Sequence, residues 1–222
     1  MSISVIIPYF RDLSALENYL ESNRKRVPTA DFWVVGGEED SSAQSLVEGL
    51  GGNWWQTEQP GRGRQMNVGA EKAQGDVLLF LHADTLLPER ADRVLEEAFA
   101  KGFVGGGFAR RFDSSSRFLR LTCRWADWRG RRSGWFLGDQ AIFCSREVFT
   151  SLGGFADWVA FEDLDFSRRM AKRGQTTLLW PPVLSSARRF VQKGPVRQTL
   201  ADCWLTLQWL GGRSFVRRNS DD

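Results

Sequence analysis

Gly75-Asp76-Val77-Leu78-Leu79-Phe80-Leu81-His82-Ala83-Asp84 decides how the rest of the chain is read. Val77–Leu81 is apolar without a break and too short for a typical helix, which fits a strand buried on both faces of a parallel sheet. The run ends at His82, the only histidine in the protein, with Asp84 two residues further on. Open α/β sheets bind ligands just beyond the carboxyl ends of their strands. An imidazole and a carboxylate at that place suggest a divalent cation and a phosphorylated ligand. A surface turn, with Asp84 capping a helix begun at Pro88, accounts for the same residues equally well.

Working outward, the first hundred residues alternate strand and helix. Strands are expected over Ile3–Pro8, Phe32–Val35, Asn53–Gln56 and Val77–Leu81. Helices are expected over Leu13–Arg24 behind an Asp12 cap, Ser41–Leu50, Met66–Ala73 and about Pro88–Ala100. This alternation predicts an α/β fold with mainly parallel pairing and right-handed crossovers. The second half is less regular. Phe103–Phe112 reads as a bulged strand, Leu119–Trp128 as a helix, Ala141–Cys144 as a short strand and Glu162–Lys172 as a helix whose charges match its macrodipole. Val196–Leu210 reads as an amphipathic helix with Leu200, Trp204 and Leu207 on one stripe. Nothing resembling a linker divides the 222 residues, so one domain is expected.

The net charge of +3 conceals an asymmetry: residues 1–100 carry 9 basic and 16 acidic residues, and residues 101–222 carry 21 and 11. Arginine makes up most of the basic complement, and its planar fork suits phosphate and carboxylate. Anionic substrates, anionic lipid and nucleic acid are the partners that charge permits, but no nucleic-acid recognition motif is present and none is expected to bind. Three cysteines without a paired spacing fit reduced thiols and a cytoplasmic location. No apolar run reaches the length of a membrane span or a signal sequence.

Four places can carry chemistry. Gly61-Arg62-Gly63-Arg64-Gln65-Met66-Asn67 combines glycines with a helix start, which suits an anion. It lacks the spacing of a dinucleotide fingerprint, and no phosphate-binding P-loop occurs. Gly36-Gly37-Glu38-Glu39-Asp40 places acids after the second strand, where they either meet a nucleoside or decorate a helix N-terminus. Glu162-Asp163, behind the aromatic approach Trp158-Val159-Ala160-Phe161, offers paired carboxylates for general-base work or for capping. Ser186-Ala187-Arg188-Arg189-Phe190, with Gly138-Asp139-Gln140 upstream, offers a diphosphate clamp.

The order of these pieces carries more weight than any one of them. A Val5-Ile6-Ile7-Pro8 strand, acids about thirty residues on, GRGRQMNVGA, LLFLHADT, GDQ, Glu162-Asp163 and SARR together resemble the family 2 glycosyltransferases, and within them a small bacterial subgroup. The resemblance runs from about Ile3 to Phe190. It implies a GT-A fold: a Rossmann-like nucleotide-binding half over about 1–100, a smaller acceptor half over about 101–190, and a C-terminal helix and tail over 191–222. It implies a nucleotide-diphosphate sugar donor, a divalent cation (Mn²⁺ or Mg²⁺) and inversion at the anomeric carbon. Asp84 and His82 match the metal-binding motif, Asp163 the catalytic base with Glu162 beside it, and Arg64 and Asn67 the nucleotide-facing loop. Pro8, Glu38 and Asp40 fall on the nucleotide side, Asp139 and Gln140 on the acceptor and sugar side, and Arg188 and Arg189 on a segment facing the leaving diphosphate.

Two departures are visible. Val35 stands where relatives carry an aspartate that contacts the base, leaving Glu38 or Asp40 to replace it. Histidine replaces the first acid of the metal motif, which favours Mn²⁺ over Mg²⁺ if His82 ligates. The acceptor is an unspecified hydroxyl. The Trp204-bearing tail either packs on the protein or in a homodimer, the simpler reading, or lies on an anionic membrane surface at the inner face and presents a lipid-linked acceptor. Rival readings are a sugar nucleotidyltransferase, disfavoured by Pro8-Tyr9-Phe10-Arg11 after the first strand, and a non-catalytic nucleotide-sugar-binding protein on a degenerate fold.

Overall fold

In the computed structural model, which describes residues 1–158 and 160–212, the Val77–Phe80 strand lies fourth in an eight-stranded sheet. The strands in chain order are β1 (Ile3–Tyr9), β2 (Asp31–Gly36), β3 (Asn53–Gln56), β4 (Val77–Phe80), β5 (Thr85–Leu86), β6 (Gly105–Phe112), β7 (Phe143–Ser145) and β8 (Thr176–Ser185). Their spatial order is β3-β2-β1-β4-β7-β6-β8-β5. The first four strands pair in parallel, as do β6 and β8, whereas β7 runs antiparallel to both β4 and β6. The fold is thus the mixed, mainly parallel α/β sheet expected, with the reversal beside β4 opening a crevice at its carboxyl end.

Helices cover both faces: α1 (Leu13–Arg26), α2 (Ser41–Gly49), α3 (Arg62–Lys72), α4 (Ala91–Ala100), α5 (Arg117–Ser133), α6 (Arg146–Leu152), α7 (Glu162–Ala171), α8 (Arg188–Lys193) and α9 (Pro195–Leu210). All four side chains of β4 are buried. Leu79 joins the core cluster that includes Leu16, Val47 and Leu95, while Leu78 and Phe80 join the opposite cluster with Met66, Phe155 and Phe166. Each such side chain contributes about 1.5–3 kcal/mol of burial, which explains the unbroken apolar run. Helix α3 comes very close to the sheet: a β-carbon at Gly69 would lie 2.5 Å from Ile6 Cγ2.

Several expectations need correction. Helix α3 begins at Arg62, not Met66, and α4 begins at Ala91, not Pro88; Asp84 caps neither. Strand β8 was hidden by Pro181 and Pro182. These prolines fall where the β6–β8 register slips, between the pairs Phe108–Leu179 and Arg110–Val183, because proline cannot donate to a ladder and is tolerated at a bulge. The C-terminal helix forms as expected, but its Leu200-Trp204-Leu207 stripe is exposed, and Trp209 is the residue that packs, against Trp158 and Phe161. The last ten residues of the expected tail lie outside the described residues, as does Val159.

Candidate active site

The carboxyl end of β4 delivers His82 and Asp84 into the wall of a cleft of about 440 Å³. Two backbone turns bring the other walls in. Phe161, at φ 68°, turns the chain so that α7 starts with Glu162 and Asp163. Ala141, at φ 45°, closes the single 3₁₀ turn Gly138–Gln140. Left-handed backbone at a bulky residue is strained, and such residues gather at functional sites. Helices α5 and α9 complete the cleft through residues such as Ala126, Arg129, Thr199 and Thr206.

Arg62, at the first position of α3, links these walls. Its Nη2 donates to Asp163 Oδ2 at 3.1 Å, its Nε donates to Glu162 Oε1, and its Nη1 lies 3.3 Å from His82 Nε2. Guanidinium nitrogens only donate, so His82 Nε2 accepts and the imidazole is neutral with its proton on Nδ1. Burial, and then the charge of Arg62, push the His82 pKa down to about 4. Glu162 is 1% exposed; burial raises its pKa, with Arg62 opposing and Asp163 reinforcing. Asp163 is also held by the Gly138 N–H, which donates to Oδ2 at 2.7 Å, while Oδ1 accepts from Leu164 N. Gly138 is required here: a β-carbon would lie 2.5 Å from His82 Nε2 and 3.1 Å from Asp163 Oδ2.

Asp139 lines the cleft and pairs with Arg110, and its Oδ1 is buried without a partner. Burial resists its ionisation, but Arg110 and Arg129 outweigh that and hold its carboxyl below the usual range. Asp84 also lines the cleft and forms no ion pair among the described residues. Burial, with Asp12 nearby, raises its pKa against the pull of Arg188.

The sequence-predicted residues therefore divide. His82, Asp84, Asp139, Asp163 and Arg189 meet at the cleft, and Glu162 lies directly beneath. Arg189 pairs with Asp202 of α9, while Arg188 grips Asp12. Gln140 is buried, accepting from Arg129 and donating to Phe108 O. Away from the cleft, Arg64 binds Gln59 and Asp157, and Asn67 holds both backbone groups of Phe155. At the carboxyl ends of β1 and β2, Glu38 pairs with Arg11, and Asp40 caps α2 while accepting from Tyr9 Oη at 2.6 Å. Pro8 registers with Val35, whose buried side chain faces α3. Arg62 and Arg110 were missed. Arg62 lies in the GRGR stretch beside Arg64, and Arg110 in the Phe103–Phe112 strand beside Arg111; in each pair only the fold decides which member points into the cleft.

A metal fits this donor set in one way. No group of three or more histidine, cysteine or acidic side chains able to cage an ion occurs among the described residues. Asp84 lines the cleft and makes no ion pair among the described residues, so it would hold a cation whose other positions come from a ligand and water, an arrangement hard oxygen-seeking ions accept. The lone pair of His82 Nε2 is already engaged by Arg62.

The architecture is that of the GT-A glycosyltransferases. A mannosyltransferase from Pyrobaculum calidifontis, solved with GDP-Man and Mn²⁺, superposes with a TM-score of 0.66 at 19% identity, over 83% of this chain and 56% of that one. S. aureus TarS residues 1–349, solved with UDP, superposes with a TM-score of 0.67 at 14% identity, over 84% and 60%. This chain thus spans little more than half the length of either neighbour. The family model for Glycosyl transferase family 2 matches residues 4–151, and the chain belongs to that family. No curated protein sequence matches it.

Proposed function

We propose that this enzyme moves a hexosyl group from a nucleotide-diphosphate sugar to an acceptor hydroxyl with inversion, Asp163 acting as the base. The observation that carries the reading is the convergence of Asp163, Arg62, His82 and Asp84 on one cleft beyond β4. The acceptor oxygen attacks the anomeric carbon from the face opposite the nucleotide while Asp163 takes its proton, and the bond to the diphosphate breaks. Such a base needs hydrogen-bond reach of about 2.6–3.2 Å.

Arg62 is placed to follow the charge. With no donor present it neutralises Glu162 and Asp163; a diphosphate entering the cleft competes for the same guanidinium, freeing Asp163 to accept a proton. Glu162, buried beneath, keeps Arg62 oriented. Arg189 adds a second cation on the cleft wall, and Arg188 holds Asp12 beside Asp84. A divalent cation, Mn²⁺ or Mg²⁺, when held at Asp84 offsets charge on the diphosphate. The base of the nucleotide would meet the β1 and β2 ends near Glu38 and Asp40, since Val35 is committed to the core.

Calorimetric titration with UDP, GDP and dTDP, with and without Mn²⁺, tests this. Binding of one diphosphate, strengthened by Mn²⁺ in the native protein but not in Asp84→Ala, is the expected result. A folded protein that binds none of the three overturns the donor assignment.

A further inference from the structure

The two helices that wall the cleft carry apolar side chains that no described part of the chain covers. On α5 these are Leu121, Trp125 and Trp128; on α9 they are Leu200, Trp204 and Leu207. Each set recurs at i, i+4 and i+7, which makes a single stripe along each helix. Exposure of Trp128 is 58% and of Trp204 is 63%, a large cost to leave in water on both helices at once. The rings of Trp125 and Trp128 stack at 5.0 Å and 19°, presenting a flat indole surface instead of two isolated residues.

Charge identifies the occupant. Helix α5 contains six arginines and one aspartate. Arg117, Arg120 and Arg124 are exposed and recur at i, i+3 and i+7, a stripe beside the tryptophans. On the α9 side, Lys193 and Arg197 are exposed as well. A second copy meeting this face about a twofold axis would set these like charges against one another. A surface that is apolar below and anionic above satisfies both stripes: tryptophan rings sit at headgroup depth and arginines reach lipid phosphates.

We propose that the exposed α5–α9 face is a docking surface for an anionic phospholipid bilayer. Resting on the glycosyltransferase reading, the corollary is that the acceptor hydroxyl belongs to a membrane-resident molecule, since the cleft lies between the same two helices.

The full chain is mixed with vesicles of phosphatidylglycerol and phosphatidylcholine in equal parts, and with pure phosphatidylcholine vesicles, and binding is read by flotation and by tryptophan emission. Retention on the anionic vesicles alone, a blue shift, and release by added salt are expected. Arg120→Glu with Arg124→Glu should weaken binding at least about tenfold, and Leu200→Ser with Trp204→Ser should weaken retention and reduce the blue shift, Trp125 and Trp128 remaining on the face. These positions are exposed, so an unchanged thermal melt separates lost docking from lost folding. No flotation at low salt overturns the proposal, as does equal binding by the variants. A stable dimer abolished by Trp204→Ser also overturns it, because the face is then a self-association surface. None of these readouts depends on sugar transfer, so the docking and the enzymatic reading fail separately.

Discussion

Arg62 and Asp163, 101 residues apart in the chain, meet at 3.1 Å on the same carboxylate oxygen that the Gly138 N–H reaches at 2.7 Å. Of these two donors, the backbone amide is fixed by the 3₁₀ turn, whereas the guanidinium sits on a long side chain. In the proposed role of Asp163 as base, an incoming hydroxyl would therefore displace Arg62, not Gly138. On that proposal the carboxylate becomes available when something else, such as a diphosphate, draws the cation away.

Asp163→Asn keeps the shape of the side chain and one of its two backbone contacts, its single amide oxygen accepting from either Gly138 N or Leu164 N, but removes the ability to take a proton. Donor binding should persist by calorimetry while transfer falls about 10²–10⁴-fold, the range general-base removal produces. Near-native turnover in a folded Asp163→Asn protein removes it from the role.

Arg62→Lys keeps one positive charge but not the fork that reaches Glu162, Asp163 and His82 together. Lysine is a point charge and cannot satisfy three partners in a plane. Transfer is expected to fall about tenfold or more, with the loss shared between donor affinity and turnover. Arg62→Gln should also destabilise the fold by about 1–3 kcal/mol, since it leaves Glu162 buried without its cation; the partial solvation of Arg62 keeps this below the full cost of breaking a deeply buried pair. Unchanged kinetics in both variants contradict the central place given to this residue.

Gly138→Ala tests the tightness of the site. The added methyl would lie 2.5 Å from His82 Nε2, so the imidazole must move and the Arg62 contact with it. Overpacking of this kind costs about 1–3 kcal/mol. Activity should fall further than stability, seen as a larger loss of kcat/KM than the shift in unfolding midpoint explains. Wild-type activity would show that His82 can be displaced without consequence.

Much of this was legible in the residues because the same physics operates locally and globally. The buried strand Val77–Phe80 shows as an apolar run because both its faces are covered, and Asp12 shows as a cap because its side chain accepts from Ala15 N. Strand β8 was not legible: its prolines signal a break, and only pairing with β6, some seventy residues earlier in the chain, turns that break into a bulge. The choice between Arg62 and Arg64 was equally hidden. With the helix placed from Met66, both arginines belong to a loop; with α3 starting at Arg62, residues two apart point to opposite sides, one toward Asp163 and the other toward Asp157. Asp40 illustrates the reverse limit, since an acid after strand two reads the same whether it meets a nucleoside or caps α2, and the structure shows it capping.

The buried titratable groups predict how stability follows pH. His82 has a folded pKa of about 4 against an ordinary 6.5, so between those values the unfolded chain binds more protons than the native one. Stability is then fully present above pH 6.5 and is lost as pH falls toward 4, by up to roughly 3 kcal/mol at 1.36 kcal/mol per pH unit. Glu162 acts with the opposite sign: its raised pKa means that the native state holds the extra proton, so its contribution is present below the ordinary carboxylate value and lost as pH rises past it. Urea unfolding followed from pH 4 to pH 6.5 should show stability rising with pH in the native protein. His82→Asn should flatten that rise, and Glu162→Gln should steepen it by removing the opposing group. If His82→Asn and the native protein show parallel curves across this range, the imidazole is not titrating as its burial beside Arg62 requires, and the neutral, Arg62-bound form assigned to it is wrong.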